Sequence, residues 1–215
     1  MRKKASRLSP ARKISLFICA LIALYGGYYW GNRHVPLNRG IELIHLLEKP
    51  LKIAPFELTG PGNKPYTATD LTGHWSLLFL GYSSEGSDSG HQLTLATRIF
   101  NRLALQPELQ RTIAVILLTV DPRRDTHKKL SLFVSHYSAD FIALTGEETH
   151  IRGLATQLGM KYRREEGKSS DYTLQHSSSM ALINPRGELA GLFTGRVDAG
   201  SIASDIMQLV DSYQQ

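Results

Sequence analysis

Few side chains in this chain of 215 residues could do covalent chemistry. Its one cysteine, Cys19, sits inside an apolar run, so the polar remainder carries no thiol. Disulfide exchange needs one thiolate to attack and another to resolve the mixed disulfide, and neither is available there. Ser177, Ser178 and Ser179 adjoin His176, but adjacency does not make a nucleophile. A hydrolytic triad needs a matched base and an oxyanion site, and no G-x-S-x-G elbow is present. Asp121 and Asp125 follow an apolar segment directly, where α/β proteins often place functional groups. An aspartate before proline is also ordinary turn chemistry, and Asp125 is placed to cap a following helix.

The elements that must position these groups can be read from periodicity. Residues 31–50 read as a tether with a short helix over Ile41 to Lys49. Ile53 to Leu58 reads as an edge strand, since Pro55 fits poorly in a central one, and GPGNKP as a turn. WSLLFLGY (Trp75 to Tyr82) and TIAVILLTV (Thr112 to Val120) are unbroken apolar runs, as expected of strands covered on both faces. Helices are expected over His91 to Ala104, Lys128 to Tyr137, Glu147 to Leu158 and Gly200 to Tyr213, with a strand over Phe141 to Gly146 between the second and third. YTLQH (Tyr172 to His176) reads as a strand, and MALI and ELAGLF flank the turn NPRG as a hairpin. Strands alternating with helices, closed by a hairpin and a last helix, predict an α/β thioredoxin-like fold with a central mixed sheet flanked by helices. No G-x-G-x-x-G follows a strand, which disfavours a dinucleotide-binding domain.

The N-terminus adds a second expectation. Residues 1–13 hold six basic residues and no acidic one, and Ile14 to Trp30 carry no charge. Seventeen helical residues rise about 25 Å, the short end of a membrane span. Tyr25, Tyr28, Tyr29 and Trp30 close the run like an interfacial belt. A cleaved signal peptide would have to use Ala20 and Ala23, yet the run continues through four aromatics. Lipid attachment at Cys19 is disfavoured by the short run before it and by the bulk of Ile18. The reading is therefore a basic cytoplasmic flank (1–13), a transmembrane helix (14–30), a linker (31–50) and a folded domain (51–215). In a bacterium this puts a single-pass anchor in the inner membrane and the domain in the periplasm. Of 25 basic residues, six precede Ile14, leaving 19 against 19 acidic ones beyond it. The high isoelectric point thus belongs to the flank, and nothing points to nucleic acid as a partner.

Five segments in order resemble the SCO/SenC family of membrane-anchored copper chaperones used in cytochrome c oxidase assembly. They are FLGYSS (Phe79 to Ser84), LTVDPRRDT (Leu118 to Thr126), FIALTG (Phe141 to Gly146), YTLQHSS (Tyr172 to Ser178) and LINPRG (Leu182 to Gly187), and the resemblance covers Ile53 to Tyr213. In that family a GYT-like segment leads into a C-P-x-x-C loop, whose two cysteines bind copper with a distant histidine. Here the resemblance puts Glu85 and Ser89 at the cysteine positions, Gly86 and Gly90 at the prolines, and His176 at the histidine, with Gln175 where aspartate is common. Cuprous ion prefers soft thiolate or thioether ligands, and Met160 and Met180 are isolated. Cupric ion would accept Glu85, Asp88, His91 and His176 only if they converge. A peroxidase of the same superfamily would need a reactive cysteine or selenocysteine that is missing. The resemblance therefore implies a membrane-tethered, noncatalytic relative without a cofactor, acting through a protein partner in oxidase assembly. The alternative is a copper carrier with altered ligands including His176.

Overall fold

The computed structural model describes residues 12, 19–26, 44–84, 89–166, 172–195 and 198–213. The chain divides into two units, residues 1–39 and 40–215. In the first, residues 19–26 are helical and exposed. Among the described residues no helix is long and apolar enough to cross a membrane. This corrects the transmembrane helix expected over residues 14–30. The membrane tether, the membrane as a partner and the single-pass inner-membrane placement with a periplasmic domain fall with it. Residues 14–18 and 27–30 of that expected span lie outside the described residues.

The second unit runs β1 (Ile44–Lys52), β2 (Glu57–Gly60), β3 (Lys64–Thr67), β4 (Ser76–Gly81), α1 (Ser89–Arg102), α2 (Pro107–Thr112), β5 (Ala114–Thr119), α3 (His127–Ser135), β6 (Ile142–Leu144), α4 (Glu148–Gln157), β7 (Tyr162–Glu166), β8 (Tyr172–His176), β9 (Met180–Ile183), β10 (Glu188–Phe193) and α5 (Ala199–Tyr213). Among the described residues, six strands form one sheet in the order β1-β10-β9-β4-β5-β6, while β2–β3 and β7–β8 pair separately. β4, β5 and β6 are parallel, and β9 runs antiparallel to both β4 and β10. This is the thioredoxin-like arrangement.

The apolar runs explain why the sheet is central. Side chains alternate across a strand, so Leu77, Phe79, Val115 and Leu117 face one side of the sheet. There they pack with Leu93 and Ile99 of α1, Leu130 and Val134 of α3, and Ile202 and Ile206 of α5. Leu78, Leu80, Ile116 and Leu118 face the other, against Ile151 and Leu154 of α4. Met160 and Met180 lie in opposite cores, so they form no joint sulfur site.

Two elements differ from the expectation. The stretch read as a helix over Ile41 to Lys49 is largely β1, antiparallel to β10 at the sheet edge. Most of β1 is exposed, and Pro50, which has no N–H to give a ladder, is tolerated at such an edge. The Asp205 carboxylate of α5 accepts the Ile44 N–H at 3.3 Å and ties β1 to the last helix. β7, whose sequence YRREE has no apolar alternation, owes its strand to pairing with β8 from Tyr162↔His176 to Glu166↔Tyr172.

Candidate functional site

β4 and β5 end side by side, and the residues just beyond them form one polar cluster. Gly81 closes β4, where an added Cβ would lie 2.6 Å from Leu117 Cδ1 and 2.9 Å from Ser89 Oγ. Only glycine allows that approach. It brings the first turn of α1 onto the strand end, and Ser89 Oγ accepts the Tyr82 N–H at 2.8 Å. Ser89 is fully buried, so its hydroxyl is a structural tie between strand and helix. Ser89→Ala should cost about 1 kcal/mol in chemical denaturation; an unchanged midpoint would show that the tie contributes nothing.

Beyond β5, Thr119, Asp121 and Asp125 are buried and share their polar atoms completely enough to be stable there. Asp125 does not cap α3. Thr126 does, accepting the Lys129 N–H on Oγ1 at 3.3 Å. The Asp125 carboxylate instead accepts the Ser83 N–H at 3.0 Å, the Ser83 hydroxyl and the Thr119 hydroxyl at 2.7 Å. Thr119 Oγ1 in turn accepts the Asp121 N–H at 2.9 Å. Asp121 faces the β7–β8 hairpin: its carboxylate accepts the Tyr172 hydroxyl at 2.5 Å and pairs with Arg124 Nε.

Arg124 continues the link. Its guanidinium lies 4.0 Å from the Tyr172 ring centroid and donates to the Tyr172 carbonyl at 3.3 Å. Arg164 covers the same ring at 4.7 Å, so Tyr172 is held between two cations. Burial, followed by the hydrogen bond to Asp121, raises the Tyr172 hydroxyl above its ordinary pKa. Burial works against the charge on Arg124, but the hydrogen bond and charge of Asp121 more than offset it and hold its pKa up. Sequence reasoning singled out the two aspartates from their place after a strand. It missed Thr119, which bonds locally to Asp121 and Asp125, and Arg124 and Tyr172, which meet through a hairpin about fifty residues away.

His176 ends β8, half-buried. Its ring meets Tyr82 edge-on, with centroids 6.0 Å apart, and Nδ1 lies 3.2 Å from the Ser177 carbonyl oxygen. The Tyr82 hydroxyl donates to the Leu174 carbonyl at 3.4 Å, which ties the loop after β4 to the same hairpin. Gln175 points outward and accepts from Arg163 Nη2 at 2.9 Å. Ser177 Oγ accepts the Lys161 N–H at 3.3 Å, a structural use. His91 is exposed on α1, and Glu85 and Asp88 lie outside the described residues.

The described donors do not fit copper. Among the described residues no three His, Cys, Asp or Glu side chains gather where they could hold a metal ion. The Ser89 oxygen is a hard donor, buried and already committed to Tyr82, whereas cuprous ion needs soft sulfur. The alternative reading of a copper carrier with altered ligands is corrected on this ground.

Residues 45–211 match the family model described as SCO1/SenC. A SCO2-like protein of Rickettsia felis is 29% identical over 182 residues, covering 82% of this chain and 86% of that protein. In fold, the chain is similar to Arabidopsis thaliana ScoI with copper bound, at a TM-score of 0.69 and 23% identity over 74% of this chain and 98% of that one. It is also similar to BsSco, a member of the Sco family of cytochrome c oxidase assembly proteins in which a disulfide switch was identified. There the TM-score is 0.58 and the identity 19%, covering 80% of this chain and 96% of that one.

Proposed function

Because the chain belongs to the SCO1/SenC family, whose members are chaperones and assembly factors rather than enzymes, we propose that it is a noncatalytic member acting through contact with a protein partner in cytochrome c oxidase assembly. The observation that carries this reading is Ser89. On this reading Ser89 stands where the family carries a cysteine, and the chain uses its buried hydroxyl as a tie to Tyr82. With Glu85 at the other cysteine position and no thiol beyond Cys19, neither disulfide exchange nor soft-metal ligation has its atoms.

The retained scaffold still has work to do under this reading. The Asp121 and Asp125 cluster holds the loop after β4 against the β7–β8 hairpin, presenting Tyr82 and His176 side by side. A surface fixed in that way binds without paying the ordering entropy of a loose loop. Purification of the tagged full chain from its own cells should recover an oxidase subunit or assembly factor, and deletion should lower the amount of assembled oxidase. A chain that recovers neither, together with normal oxidase after deletion, would sink the proposal.

A further inference from the structure

Between α4 and β7, two buried donors have no hydrogen-bond partner among the described residues: the Tyr162 hydroxyl and Arg164 Nε. Tyr162 is 9% exposed and the Arg164 side chain 19%. Buried polar groups are nearly always paired, and an exception calls for a water, an ion or a ligand. Tyr162 and Arg164 are two residues apart on β7, so they share one face of the hairpin. The groups around them are mostly donors as well. Arg152 lies over the Tyr162 ring at 4.6 Å. One carboxylate serves both arginines, since Glu148 accepts from Arg152 at 3.1 Å and from Arg164 at 3.4 Å. Charge-assisted bonds settle at about 2.7–2.9 Å, so Glu148 satisfies Arg164 poorly. Two guanidiniums against that one carboxylate leave one positive charge in excess. Burial raises the Tyr162 hydroxyl above its ordinary pKa, against the pull of Arg152 and Arg164, so it keeps its proton and can donate.

A cluster rich in donors, short of acceptors and in excess of positive charge is complementary to an anion that brings several acceptor oxygens. Arg164 is held ready for one, because its guanidinium packs on the Tyr172 ring at 4.7 Å. The way in lies past Arg152, whose side chain is 55% exposed. Its ion pair with Glu148 is of the exposed kind that contributes little and opens readily. We infer that Tyr162, Arg164 and Arg152 bind a small oxyanion of the phosphate class, which replaces Glu148 as the acceptor shared by the two guanidiniums. Bound there, the anion bridges α4 to β7 and braces the hairpin whose second strand ends at His176. This site stands apart from the oxidase proposal, and either can fail without the other.

The test is equilibrium dialysis of the full chain against radiolabelled inorganic phosphate, with sodium chloride holding the ionic strength constant. The wild-type chain should take up one equivalent. Arg164→Gln should bind at least about tenfold more weakly, the loss of a charge-assisted pair. Tyr162→Phe should weaken binding by a similar factor. Without phosphate its melting temperature should be equal to wild type or higher, because the substitution removes an unpaired buried hydroxyl. Arg163→Gln, on the outward face where Arg163 meets Glu165 and Gln175, should leave uptake unchanged. No stoichiometric uptake by wild type would overturn the inference, as would equal uptake by Tyr162→Phe and Arg164→Gln. A lower melting temperature for Tyr162→Phe with no uptake by wild type would assign the hydroxyl to a buried water instead. Binding to phosphatidic acid vesicles without uptake of free phosphate would overturn it too, giving these donors to a lipid head group.

Discussion

Asp125→Ala should destabilise the fold by about 3 kcal/mol in chemical denaturation, because it removes the acceptor that three donors share. The carboxylate is 1% exposed, and it accepts from the Ser83 backbone and hydroxyl and from the Thr119 hydroxyl. Removing one member of a buried polar cluster leaves each donor with its desolvation cost, roughly 1–3 kcal/mol apiece, part of which rotation of the two hydroxyls recovers. Asp125→Asn should cost less, since the amide oxygen still accepts one bond. A loss under about 1 kcal/mol for the alanine variant would mean that water or repacking satisfies these groups, and that the loop after β4 is not held from beneath.

Asp121→Ala should cost about 2 to 3 kcal/mol, less than the loss of a fully buried ion pair because the Arg124 side chain keeps 30% exposure and can reach water. Its more informative effect is local. The Tyr172 hydroxyl and Arg124 both lose their shared partner, so amide hydrogen exchange in β8 should accelerate more than exchange in β4 or β5. Uniform acceleration across the sheet would show instead that the hairpin has no separate lock. The Tyr172 pKa also fixes a pH dependence. Because it is raised in the fold, its contribution is complete below about pH 10, the unfolded value, and is lost as pH rises through the folded value. Asp121→Ala should blunt that alkaline loss.

Much of the fold is legible in the sequence because burial on both faces leaves unbroken apolar runs. WSLLFLGY and TIAVILLTV contain β4 and β5, and MALI with ELAGLF gives the hairpin of β9 and β10. The elements that escape are those whose state is set by a distant partner. IELIHLLEK has a helical apolar spacing, but β10 offers it an open edge and Asp205 accepts the Ile44 N–H. YRREE shows neither period and becomes β7 only beside β8. The N-terminal run illustrates the opposite error. Its uncharged residues and aromatic end match the composition of a span, yet among the described residues no helix of sufficient length and hydropathy forms.

The candidate site divides along the same line. The place of Asp121 and Asp125 after a strand was visible, but their partners were not. Asp125 faces Ser83 from forty-two residues away and Asp121 faces Tyr172 from fifty-one. A local reading therefore offers the nearest role, a helix cap, which Thr126 fills. The loss of the cysteine pair was plain from residue types alone. That Ser89 had become a buried tie required the close approach at Gly81.

On the proposed reading, this family scaffold has given up its thiol and copper chemistry and kept its shape. The most direct measurement is titration of the full-length Cys19→Ser chain with cuprous ion against a competing chelator, beside the same chain carrying His176→Ala. Neither protein should take up copper stoichiometrically, and the two should not differ. One equivalent of copper bound by the first, and substantially weakened by His176→Ala, would contradict it.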